Sequence, residues 1–520
     1  MKIRSLFVFT TIIFIVIPIT EFFGQDTTSS LAFKNNKPER RRTFFYQPDL
    51  SYQIWQQFKL LQEAHTGDPL AMHELGLRYL LGDGFPADTI KGAKWIGKAA
   101  DKKLTAAEYN YGILLNNGWG VDWDPFKAYK YFKEAAKAGM TQAEYIFGIL
   151  NTNDLIANKN WDLAYLWINK AAKSGYDPAK DVLKQLKKKV SPALLDSTNT
   201  INKDSLDKSI NSKSEGNESL ATNLGLVFID FNTESDSIPI ITDKQVLETL
   251  WRNSNQNLAD TLGLVEDSLE LTKIKKSGLT YLEQCSEAGN PEALVLLGRL
   301  YEKGIYFKKD IFTASLFYIR ATRFDSPIAP PLLWNIIQNK DYFKKLKQMV
   351  DINNPEAMYI WYGLYVLNFD HQFTDRDAID LIQKAANLNY LPAMVELGTD
   401  FYTGKIVNKD KQRGIEIWRV AKNYGSLEAE IRLAAAQVFG GNKNDELSDE
   451  VKMLFEYEKY GSVLSQVALA YCYENGISIL ENKPDAVKYY RMAAQRGNRY
   501  AYSELKRMYD EIRPPNFDEN

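Results

Sequence analysis

Residues 71–84 and 92–100 read Ala71-x-x-x-Leu75-Gly76-x-x-Tyr79-x-x-Gly82-x-Gly84, then Gly92-x-x-Trp95-Ile96-x-Lys98-Ala99-Ala100. Ala71, Leu75 and Tyr79 stand at i, i+4 and i+8, on one face of a helix. Gly82-Asp83-Gly84 predicts where that helix ends, because glycine accepts the left-handed conformation that follows helix C-termini. Gly92, Trp95, Ile96 and Ala99 form the stripe of a second helix. Small residues at Gly76 and Ala99-Ala100 let two backbones approach, and Leu75, Tyr79 and Trp95 fill the space between neighbouring units. One such hairpin cannot bury both faces, so its stability must come from stacking on copies of itself.

The copies are present. Ala71, Ala107 and Ala143 are spaced by 36, as are Gly76, Gly112 and Gly148, and Ala99, Ala135 and Ala171. A second series keeps the period through Ala357, Ala393, Ala429, Ser465 and Ala501. Several independent columns in register predict an all-α chain, an α/α solenoid superhelix of about 36-residue helix–turn–helix repeats in two arrays. Three places break the pattern. The third unit carries residues 151–160 where the Gly-x-Gly turn belongs. The step from Ala329 to Ala357 is only 28, which implies a shortened unit. The unit at Ala429 has Ala434 in place of the column glycine.

The motif of the first unit resembles the Sel-one-like repeat, a relative of the tetratricopeptide repeat. The second unit repeats it at Tyr111-Gly112, Gly118-Trp119-Gly120 and Ala135-Ala136-Lys137-Ala138-Gly139. Later units match at Leu297-Gly298-x-x-Tyr301-x-x-Gly304, at Leu397-Gly398-x-x-Phe401-x-x-Gly404 and at Tyr473-x-x-Gly476. The resemblance implies adaptor proteins of multi-protein assemblies. It also implies that first helices line the concave face of the superhelix. By repeat position that face would carry His73, Leu77 and Leu80, then Tyr109, Ile113 and Asn116, then Tyr145 and Ile149. In the second array the corresponding residues are Arg299, Glu302, Thr399, Tyr402 and Tyr471. Exposed Tyr and Ile in a groove would hold a peptide or helix. The alternative is that the same residues serve only inter-repeat packing.

Four segments are expected: a leader at 1–25, a first array at 46–190, a linker or insert at 191–277 and a second array at 278–510. The leader has Lys2 and Arg4, then an apolar run to Ile19, as in a secretory signal peptide. Phe22 fits a cleavage site poorly, so an uncleaved membrane anchor is the alternative. Either reading places the chain outside the cytoplasm, in a periplasm or at a cell surface. Residues 196–223 turn to Ser, Asn, Thr, Asp and Lys, the composition of a flexible linker. Residues 224–231 form a short β-prone run, and 243–251 and 265–276 read as helical.

Composition excludes several functions. Lys+Arg 64 against Asp+Glu 66 gives a net charge of -2, with no electrostatic footprint for nucleic acid. Two cysteines, Cys285 and Cys472, rule out a disulfide framework, and as members of repeat helices they read as small buried hydrophobes. The three histidines, His65, His73 and His371, have no metal-ligand spacing. No cofactor, metal or catalytic constellation is expected, and the Gly-x-Gly turns follow helices where a phosphate loop would follow a strand. The reading is an exported scaffold for protein or peptide partners. Its alternatives are an envelope hydrolase with a site in the middle segment, and a passive structural component.

Overall fold

The computed structural model describes residues 50–187, 189–191, 195, 241–253, 256–265, 268–370, 373–444, 446–515 and 517. The leader, the Ser/Asn-rich stretch at 196–223, the β-prone run at 224–231 and His371 lie outside them. The described chain is helical hairpins throughout, with no β-strand among the described residues.

The first array begins with α1 (Leu50–Thr66) and continues as hairpins α2 (Pro69–Leu81) with α3 (Thr89–Asp101), α4 (Thr105–Asn117) with α5 (Pro125–Lys137), and α6 (Thr141–Leu150) with α7 (Trp161–Lys173). Helix α8 (Asp177–Leu186) closes it. Before the second array come α9 (Asp243–Asn253) and α10 (Gln256–Leu262). The array itself opens on α11 (Leu279–Glu287), followed by α12 (Pro291–Lys303) with α13 (Ile311–Arg323) and α14 (Ala329–Ile337) with α15 (Tyr342–Asp351). Then come α16 (Pro355–Val366) with α17 (Asp375–Asn387), α18 (Leu391–Thr403) with α19 (Lys411–Asn423), α20 (Leu427–Phe439) with α21 (Asp449–Glu458), and α22 (Val463–Asn475) with α23 (Lys483–Gln495). Helix α24 (Arg499–Glu511) ends the array.

Most of the regular hairpins share the same punctuation. First helices end on a left-handed glycine at Gly82, Gly118, Gly304, Gly404 and Gly476. Second helices start on an Asp or Asn whose side chain accepts a backbone N–H three residues on: Lys91 N to Asp88 at 2.8 Å, Lys127 N to Asp124 at 2.8 Å, Leu163 N to Asn160 at 2.9 Å and Arg413 N to Asp410 at 3.0 Å. Such caps satisfy donors that the first helical turn cannot pair internally.

The columns face inward, as the repeat arithmetic requires. Ala107, Ala143, Ala293, Ala357, Ala393, Ala429 and Ala501 are fully buried. Gly76 and Gly92 mark where α2 and α3 touch: a Cβ on either would lie 2.9 Å from the carbonyl oxygen of the other. Gly398 and Gly414 repeat this contact between α18 and α19, at 3.1 and 2.6 Å. Leu75, Ile96, Phe132 and Tyr318 are buried beside the glycines, each burial contributing roughly 1.5–3 kcal/mol. Cys285 and Cys472 are buried and free, and burial pushes both thiols up to about 12.

The irregular units have structural reasons. The 28-residue step corresponds to α14 and α15, nine and ten residues long where the preceding hairpin α12–α13 has thirteen in each helix. Residues 151–160 form a turn that the last helix grips. Arg513 donates to the carbonyls of Leu155 (2.7 Å) and Ile156 (2.6 Å), and Tyr502 and Lys506 donate to Asp154. Trp123 meets Tyr509 edge-on at 5.2 Å, and Phe126 meets Phe517 at 4.8 Å. The first array therefore docks on the C-terminal end of the second, although it precedes it in sequence.

One helix expectation is corrected. Among the described residues, 268–276 form no α-helix and hold 3-10 turns at Leu271–Lys273 and Lys276–Gly278. Left-handed Gly263 stops α10, Lys275 N bonds back to Leu262 O, and Tyr306 Oη donates to Ile274 O at 2.6 Å. These bonds hold an irregular segment whose Leu271 and Ile274 are buried.

Candidate binding face

In the second array, units far apart in sequence touch. Arg496, just after α23, donates from Nε to Glu292 of α12 at 2.9 Å and from Nη1 to Gly461 O at 2.5 Å. Asn290 donates to Tyr460 O at 3.0 Å. Arg320 of α13 reaches Glu428 of α20 at 3.2 Å, and Arg323 pairs with Glu396 of α18. These pairs sit at the edge where second helices hand over to first helices.

The residues expected on the concave face divide into two groups. His73, Leu77, Tyr109, Ile113, Asn116, Ile149 and Arg299 are buried. Tyr145, Glu302, Thr399, Tyr402 and Tyr471 are half-buried. The side chains of the first group make contacts within and between repeat units. Asn110 Nδ2 donates to His73 Nε2 at 2.9 Å, joining α2 to α4, and burial lowers His73 to about 4. Tyr109 packs edge-on against Phe132 at 5.9 Å. Ile113 and Ile149 belong to the same apolar cluster. The physical reason is close hairpin packing: each of these first helices lies against its own second helix and that of the preceding unit, as Tyr109 does on Phe132. Asn116 is buried too, and among the described residues its amide finds no hydrogen-bond partner.

The second group keeps an aromatic surface. Tyr145 leans on Tyr176 at 5.2 Å, Tyr402 on Trp418 at 5.0 Å and Tyr471 on Phe439 at 5.0 Å. Lys411 Nζ lies 5.4 Å from the Tyr402 ring centre. Each ring is braced on one side and accessible on the other, the form of an adaptable contact surface.

Arg299 and Glu302 form a charged station at the start of the second array. Arg299 donates from Nη1 to Glu302 at 2.7 Å and from Nε to Asp243 of α9 at 2.8 Å. Glu302 also accepts from Tyr318 Oη at 2.7 Å. Carboxylates and the tyrosine on one side hold the guanidinium charged against its burial. The sequence pointed to Arg299 and Glu302 but not to their partner α9. The one available signal was charge in a column that is uncharged at Leu77, Ile113 and Ile149.

Among the described residues, no cluster of His, Cys, Asp and Glu is placed to hold a metal ion. A cavity of about 10 Å³ lies between Val246, Glu292, Val295, Ile328 and Arg496, room for roughly one water. Among the described residues, no helix is long and apolar enough to cross a membrane.

Stacked hairpins with buried, repeating columns of small and large side chains define a helical-repeat solenoid protein. Within that class the Sel1 repeat family matches five stretches, residues 69–104, 105–140, 291–323, 391–423 and 463–498. The chain carries Sel1-like repeats over those five stretches. It is 36% identical over 160 residues to Protein sel-1 homolog 2 of Mus musculus, covering 30% of this chain and 23% of that protein. The chain thus spans about a quarter of the length of that relative. Among solved structures, a protective antigen of uropathogenic Escherichia coli strains displaying an SLR fold is 19% identical. It covers 89% of this chain and 91% of its own, with a TM-score of 0.29. A Sel1 repeat protein from Oxalobacter formigenes is 32% identical, covering 25% of this chain and 98% of its own, with a TM-score of 0.24.

Proposed function

We propose that this chain is a protein–protein interaction scaffold that holds a protein or peptide partner against the first-helix face of its repeats. Sel1 repeat proteins are generally scaffolds of this kind, and five stretches here match that repeat. The observation that carries the reading is the row Tyr145, Thr399, Tyr402 and Tyr471. They share the first helices and stay half-buried, and the three tyrosines present rings braced by neighbouring aromatics. Aromatic anchors with a polar rim are the usual energetic centres of protein interfaces.

The scaffold acts outside the cytoplasm in this reading, on the strength of the basic start and apolar run in residues 1–25. The near-neutral charge argues for a protein partner over nucleic acid. The test is affinity capture with the full chain immobilised and a cell-envelope extract as prey. It is followed by titration of the purified prey against the full chain. Saturable one-to-one binding that weakens at least tenfold in Tyr402→Ala/Tyr471→Ala supports the reading; no saturable prey, or indifference to both substitutions, contradicts it.

A further inference from the structure

Helix α9 occupies the inner face of α12, and it is not a repeat helix. Each unit is an up–down hairpin, so successive first helices run parallel. Helix α9 runs the other way: its first residue, Asp243, meets Arg299 and its last, Asn253, donates to Glu292 Oε1 at 3.3 Å. It also falls outside the repeat phase, since Ala179 to Ala293 is 114 residues, not a multiple of 36. Its contact surface is a stripe at i, i+3, i+4 and i+7: Asp243, Val246, Leu247 and Leu250. The three aliphatic residues are buried and packed on α12 neighbours including Val295 and Leu296. Its other face, Lys244 and Gln245, is exposed.

Arg299 makes this placement informative. Leu77, Ile113, Ile149, Thr399 and Tyr471 hold the same place in other units, so the fold does not need a cation there. A buried guanidinium needs anionic partners, and one of its two comes from α9. A short amphipathic helix laid in a groove is a recurring mode of partner recognition, read through i, i+3, i+4 and i+7 anchors.

We infer that α9 is a resident ligand. It holds the first-helix face at the head of the second array until a partner displaces it, and that partner is an amphipathic helix with a carboxylate in its first turn and aliphatic residues three, four and seven positions on. This rests on the scaffold reading and specifies the partner for one end of the face. A tethered occupant competes at a high effective concentration, so the intact chain binds such a helix weakly.

The probe is a labelled synthetic peptide of residues 241–253, titrated into the full chain and into full-chain Asp243→Arg, which sets two cations against each other at the Arg299 station. Asp243→Arg is expected to bind the peptide at least tenfold more tightly than the unsubstituted chain, and Arg299→Gln in that background to lose the gain. Hydrogen exchange on the unsubstituted chain gives a second readout, with amides of α9 exchanging faster than those of α12. The inference is overturned by absence of saturable peptide binding to folded Asp243→Arg, by loss of the second array's fold in that variant, or by equal protection of α9 and α12. If a captured partner binds the unsubstituted chain and Asp243→Arg with equal affinity, the scaffold stands and the resident-ligand inference alone falls.

Discussion

Arg496 and Glu292 lie 204 residues apart in sequence and form a buried ion pair, with Arg496 Nε 2.9 Å from Glu292 Oε2. The side chains are 3% and 6% exposed. The pair joins the last complete hairpin of the second array to its first and turns an open-ended stack into a closed turn.

Breaking that pair leaves a buried charge unmatched, which costs about 3–5 kcal/mol. Glu292→Ala and Arg496→Ala are each expected to lower the urea midpoint of the full chain by that equivalent. The double variant Glu292→Leu/Arg496→Met should recover part of the loss. A double-mutant cycle measures the coupling. Two single variants of near-native stability would show that the closure carries no energy.

The glycine contacts make a sharper demand. A Cβ on Gly414 would sit 2.6 Å from Gly398 O, a backbone atom that cannot rotate away. Gly414→Ala is expected to destabilise by about 1–3 kcal/mol, although alanine has the higher helix propensity. Chemical denaturation checks this, and a neutral or stabilising result would mean the hairpins pack more loosely than described.

His73 predicts a pH dependence. Burial lowers it from 6.5 to about 4, so it is neutral in the fold and protonates more readily once unfolded. Its contribution is full above about pH 6.5 and is lost as pH falls toward 4. The change is at most about 3 kcal/mol over that window. Urea unfolding at pH 7 and pH 5 should show a weakened first array in the native chain, and a flatter response in His73→Gln.

The docking of the two arrays rests on Tyr509, fully buried against Trp123 and Phe126, and on Arg513 holding the 151–160 turn. Tyr509→Ala/Arg513→Ala is expected to separate the arrays while each keeps its helices. Small-angle scattering should report a larger radius of gyration with unchanged circular dichroism. An unchanged radius would show that other contacts hold the arrays together.

The fold was legible because the sequence repeats its own constraints. Gly76 and Gly92 had to be small, Leu75 and Ile96 had to be large, and the 36-residue period said which residues meet. What lay beyond the period was not legible. Nothing local tells that Arg496 reaches Glu292, or that Asp154 meets Lys506, because superhelix curvature sums small rotations over many units. The candidate face shows the same limit. Repeat position identified the first helices, but whether Tyr109 seals a joint or Tyr402 stays accessible depends on how tightly each pair of units closes. Residues 268–276 misled because Leu271 and Ile274 keep a helix-like spacing while Gly263 and Tyr306 hold the chain in 3-10 turns.

Site-specific photo-crosslinking tests the central claim most directly. A photoreactive residue at position 399 or 471 sits on the first-helix face, and one at 416 or 419 sits on the exposed side of α19. With captured partner bound, the account predicts covalent adducts from 399 and 471 and none from 416 and 419. Adducts from the α19 positions alone would place the partner on the outer helices and contradict it.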